Sequence, residues 1–218
     1  MKKGSGHRIY LAVEFVLFFF GVPISFVIDG GLLHPSKILF PVLIVFYFIL
    51  WYWTDFQWKE LWCFPITKLD LILHLGLAFV VSIVMIGGIY LFDPDSLFNL
   101  PLGNWRVWLM LSVFYPIFSA STQEMIYRTF LFHRYEKLFG SGIPIIMASA
   151  VTFSFAHIFF FHPLSMILTF LLGIYLGYLY YQKRSVVFVA LLHGLYGNMI
   201  FTVGLGEYFW LDMGKYLH

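Results

Sequence analysis

Charge is scarce in this 218-residue chain: Asp, Glu, Lys and Arg make up 11% of it, against roughly 25% in a soluble globular domain, while 61% is hydrophobic. Water is thereby excluded as its main solvent. Cysteine is almost missing. Cys63 stands alone, which excludes an intramolecular disulfide and any cysteine-based metal site. The net charge of +2, on dispersed basic residues, excludes nucleic acid as a partner. Internal repeats, low-complexity tracts and flexible linkers are absent too, so residues 1–218 are read as one membrane domain.

What is present is apolar sequence in long runs. Segments at 9–28, 38–53, 71–92, 107–121, 143–161, 164–181 and 186–205 approach the ~20 residues that a membrane-crossing helix needs. The fold class expected is all-α, a polytopic transmembrane bundle of seven spans, or eight if residues 205–218 add one. The fourth run is short, yet Gln123 to Phe139 contains no Gly or Pro, so its helix is expected to continue until Gly140, Ser141, Gly142 and Pro144 break it. Met1 to Arg8 is basic and runs into the first apolar stretch as a signal peptide would, but no A-x-A cleavage pattern follows, and a retained first span is the reading.

Orientation follows from the basic residues, which stay on the cytoplasmic side. With the N-terminus inside, ten of the 13 Lys and Arg, from Lys2 to Arg184, fall on that side and only Lys37, Arg106 and Lys215 fall outside. Trp51, Trp53, Trp58, Trp62, Trp105, Trp108 and Trp210 stand near span ends, as interfacial anchors do. The protein is expected in a lipid bilayer, as an integral membrane protein with a cytoplasmic N-terminus.

An ionisable group inside a span costs about 2.5 to 3.5 kcal/mol or more, so each one needs a reason. Gln123, Glu124 and Arg128 lie at the end of the fourth run, His157 deep in the fifth, His193 and Asn198 in the seventh. Glu124 and Arg128, four apart with the acid first, have the favoured order for an ion pair, which is one complete explanation of both. A lone membrane histidine such as His157 is explained by a hydrogen bond to a neighbouring helix. His193 is followed by Gly194 and Gly197, which remove bulk beside the imidazole and admit a close backbone or ligand. Gly173 and Gly177 form a small-residue stripe for helix packing. Taken together, one glutamate and two histidines on three helices are what is needed to polarise water beside a peptide carbonyl, directly or through a metal. Glu14, in the first span, is assigned a structural role inside the bundle, bonded to a polar group or protonated, and His74, His133 and His162 are read as interfacial.

These residues resemble a known family, the CAAX-type prenyl endopeptidases and bacteriocin-processing or immunity proteins grouped as CPBP intramembrane proteases. Gln123 to Arg128, reading Q-E-M-I-Y-R, resembles the family's E-E-x-x-x-R; Phe153 with His157 matches F-x-x-x-H; His193 with Asn198 resembles H-x-x-x-N. The likeness covers about residues 105–205, the expected catalytic core. It implies an endopeptidase that cleaves a membrane-associated or lipidated peptide, in a bacterial inner membrane. Its catalytic residues would be Glu124, His157, His193, Gln123, Arg128 and Asn198, with glutamate and the first histidine activating water and the second histidine and asparagine stabilising the oxyanion. The family is described as metal-dependent, and zinc or another divalent metal would find suitable ligand types in Glu124, His157 and His193; water activation by glutamate and histidine alone is the alternative. Two departures stand out. Gln123 occupies the first glutamate position, the one usually assigned as base, and an amide has no useful basicity. Gly197 occupies the place of the asparagine, with Asn198 one residue later, turned by about 100° on an ideal helix. A non-catalytic scaffold or immunity protein is therefore the rival reading.

Overall fold

The computed structural model describes residues 3–28, 35–54 and 56–209, and every regular element among them is helical. Seven long helices organise it: α1 (3–28), α2 (Pro35–Trp53), α3 (Lys68–Phe92), α4 (105–139), α5 (Ile143–Phe155), α6 (Pro163–Lys183) and α7 (Val186–Val203). Each expected apolar run thus becomes a helix. Among the described residues five stretches are long and apolar enough to cross a membrane: Gly6–Ile28, Lys68–Phe92, Ile143–Phe160, Pro163–Lys183 and Val186–Val203. In α2 the described apolar stretch is Pro41–Tyr52. Helix α4 fails the same standard because Ser119, Ser121, Thr122, Gln123, Glu124 and Arg128 crowd its centre. Among the described residues, five of the seven expected spans thus meet membrane length and composition. Residues 210–218, where an eighth was considered, lie outside the described part, as do Trp210, Lys2 and Lys215 and the side chains of Lys3, Lys37, Trp53 and Trp62.

Local signals set the helix ends. Thr67 accepts from Asp70 N while Asp70 accepts from Thr67 N, a reciprocal cap that starts α3. Ser185 accepts from Phe188 N to start α7. Helix α4 ends at the expected break, where Gly140 and Gly142 take φ of +84° and +77°, a region costly for residues with a Cβ.

Aromatic packing joins α1 and α2 to α4: the Phe46 ring stacks on Phe130 at 3.8 Å, and Phe15 and Tyr135 meet edge to face at 5.2 Å. Helix α6 lies against α5 along the expected stripe; a Cβ on Gly173 would come within 2.9 Å of the Ala150 Cα. Arg134 holds Glu14 through two hydrogen bonds of 2.8 and 2.9 Å, and Tyr135 donates a third of 2.9 Å. Glu14 therefore has the buried bonding role expected of it. Trp108, read as an interfacial anchor, instead donates to Thr202 Oγ1 at 2.9 Å and ties α4 to α7.

Candidate active site

Helix α4 departs from α geometry twice, with π turns at Tyr115–Ala120 and Met125–Phe130. Pro116 accounts for the first. It has no N–H to return to the carbonyl four residues back, that of Ser112. Asn198 Nδ2 donates to Ser112 O at 2.9 Å, so α7 supplies a donor where α4 lacks one. Close approach of the two helices requires glycine: a Cβ on Gly194 would lie 2.6 Å from Pro116 Cβ, and one on Gly197 would lie 2.1 Å from Tyr115 Cε1. The expected close approach beside His193 is thus made by Tyr115 and Pro116.

Four residues beyond the first π turn, Glu124 is fully buried. Its Oε1 accepts from His193 Nδ1 at 2.8 Å, and its Oε2 lies 3.1 Å from Arg128 Nε, which realises the i, i+4 pair. Arg128, also fully buried, donates through Nη1 to Ser149 and faces the Phe153 ring at 5.1 Å. Ser149 in turn donates to Tyr127 O at 2.7 Å. Oε1 is thereby hydrogen-bonded, while Oε2 is buried beside the guanidinium without a hydrogen bond of its own.

The far side of His193 faces a cavity of about 620 Å³, within the ~300–1,000 Å³ range of ligand pockets. Tyr115, Gln123, His157 and His193 all line it, among mostly aromatic walls that include Phe18, Phe46, Phe118 and Phe159. His193 Nε2 lies 3.0 Å from the Tyr115 hydroxyl. Because the Glu124 carboxylate accepts from Nδ1, Nε2 is left as the acceptor and the phenol O–H donates to it. His157 ends α5; its Nδ1 donates to Phe153 O at 2.7 Å, which leaves Nε2 as its acceptor nitrogen. The Phe153 ring lies between the imidazoles, 4.9 Å from His157 and 5.4 Å from His193 between centroids. Gln123 donates through Nε2 to Ser119 Oγ at 2.9 Å, and its Oε1 is buried without a hydrogen-bond partner.

Glu124 is fully buried near the middle of α4, which runs on well past its apolar stretch. It touches His193 and Arg128, and the side chain at the cavity wall is Gln123. Asn198, expected beside the reacting carbonyl, bonds to Ser112 and does not line the cavity. Among the described residues no group of three His, Cys, Asp or Glu is placed to hold an ion. Both nitrogens of His193 have protein partners, while Glu124 Oε2 faces Arg128 without a hydrogen bond.

Tyr115 escaped the sequence reading. Gly197 in place of an asparagine was its only trace, since the glycine marks room for a side chain without saying whose.

Residues 103–199 match the family model described as type II CAAX prenyl endopeptidase Rce1-like. That segment resembles the type II CAAX prenyl endopeptidases, and with five membrane-length helices among the described residues the chain is an integral membrane protein. Neither the curated proteins nor the solved structures include a match to it.

Proposed function

We propose that the protein is an intramembrane endopeptidase that hydrolyses a peptide bond of a membrane-associated or lipidated peptide seated in the aromatic cavity. The observation that carries this reading is the convergence of His157 and His193, from α5 and α7, on one cavity, with Glu124 behind the second ring. An acceptor nitrogen of His157 open to the cavity is suited to hold and orient a water there, and apolar walls that limit bulk water strengthen polar contacts inside. Glu124 acts through His193: it fixes the tautomer and balances the charge formed when the ring is protonated, the task of the third member of a hydrolytic triad. Arg128 holds Glu124 in place. The N-terminus is assigned to the cytoplasmic face of a bacterial inner membrane, from the distribution of Lys and Arg and from the family likeness.

A peptide whose prenylated cysteine is followed by three residues tests the reading on purified protein in liposomes. Cleavage by the wild type, abolished in Glu124→Ala, His157→Ala and His193→Ala while each still folds, is expected. Undiminished cleavage in all three would falsify it.

A second reading is favoured by Gln123, which brings an amide to the cavity wall where the family has a carboxylate. On it the chain is a catalytically impaired member, a membrane scaffold or immunity protein that binds without cutting. The outcome separating the two is an inert wild type that gains cleavage on Gln123→Glu.

A further inference from the structure

Among the described residues the lining of the cavity contains two imidazoles but no carboxylate, with the Gln123 amide on its wall. A different chain of hydrogen bonds leads out of it. The Tyr115 hydroxyl donates to His193 Nε2 at 3.0 Å, and His193 Nδ1 donates to Glu124 Oε1 at 2.8 Å. Tyrosine, histidine and carboxylate thus stand in the order of a proton relay, with the hydroxyl at the cavity end and a buried anion at the other. The arrangement depends on Gly197, because any Cβ there would overlap the Tyr115 ring.

We infer that Tyr115 is a catalytic residue that connects the Glu124–His193 pair to the attacking water. This role rests on the endopeptidase reading. The water gives a proton to the Tyr115 oxygen as the phenol proton passes to His193 Nε2, and the hydroxide formed adds to the peptide carbonyl. Glu124 offsets the charge on the imidazolium. On collapse of the tetrahedral intermediate the C–N bond breaks, the proton returns from His193 through Tyr115 to the departing nitrogen, and the relay is restored. Nothing is oxidised or reduced, and water is the only co-reactant. His157, through its acceptor nitrogen, holds the second hydrogen of the same water and aims it. The two-step transfer makes Tyr115 and His193 act as one base, which a histidine paired to a carboxylate performs well once it is within hydrogen-bond reach of the proton.

The test is made on the full-length protein in liposomes with the prenylated peptide named above. Tyr115→Phe keeps the ring packed on Gly197 and removes only the hydroxyl; kcat is expected to fall 100-fold or more, with KM within threefold and thermal unfolding close to wild type. Rates in mixed light and heavy water should curve for the wild type, as two protons in flight require, and become linear in the variant. Adding Gln123→Glu to Tyr115→Phe places a carboxylate on the cavity wall and should restore at least tenfold of the lost rate. A phenol acting only in packing would show no such rescue. Wild-type kcat in Tyr115→Phe, or failure of Gln123→Glu to rescue it, overturns the relay alone; a wild type that leaves the peptide whole overturns the endopeptidase reading and the relay with it.

Discussion

Glu124 and His193, 69 residues apart in the chain, share a 2.8 Å hydrogen bond in a site from which bulk solvent is excluded: the carboxylate is fully buried and the imidazole is 2% exposed. The bond orients the ring that faces the cavity. Glu124→Gln keeps the shape of the side chain but removes its charge, so His193 loses the anion behind it and Arg128 loses its counter-ion. Cleavage should fall about 100-fold or more. Single-turnover rates against substrate binding would check this, the loss being expected in the rate.

Arg128 is the counterpart test. Its guanidinium is fully buried against Glu124, and Arg128→Met strands a carboxylate in an apolar interior, at a cost of about 3 to 5 kcal/mol. Unfolding in detergent should show that loss. Arg128→Met with Glu124→Gln should cost less than the sum of the two, since the double variant leaves no unpaired charge.

Gly194→Ala probes the approach of α7 to α4. The new Cβ would lie 2.6 Å from Pro116 Cβ, and a proline ring has little freedom to move away. Overpacking of this kind costs about 1 to 3 kcal/mol. Lowered thermal stability together with reduced cleavage is expected, because separating the helices also draws Tyr115 from His193. Gly76→Ala in α3, where an added Cβ meets nothing within 4 Å, serves as the control and should leave the melting temperature close to wild type.

The Glu14 and Arg134 pair fastens α1, a wall of the cavity, to the end of α4. Glu14→Gln should destabilise the fold by about 3 kcal/mol, as breaking a buried pair does. A double-mutant cycle with Arg134→Met would measure the coupling, and a value near zero would count against the structural role.

Much of the bundle was legible in the residues alone. Apolar runs fixed the positions of all seven helices because helix length and hydrophobicity are local properties, and Gly140 with Gly142 fixed the break after α4 for the same reason. Spacing of four also sufficed for Glu124 and Arg128. The length of α4 was less legible from hydropathy, because the helix runs through a polar centre that an apolar run does not include.

The sequence by itself determined that this is a helical membrane protein, that its intramembrane polar groups gather in the second half, and that two positions depart from the motifs it resembles. Only the tertiary structure decided that Gln123 and not Glu124 meets the cavity, that Asn198 serves the backbone beside Pro116, and that Tyr115 stands where an amide was expected. Those outcomes depend on the rotation of α4, altered by its π turns, and on how closely α7 approaches it. Both are set by contacts between helices far apart in the chain, and no local pattern encodes them.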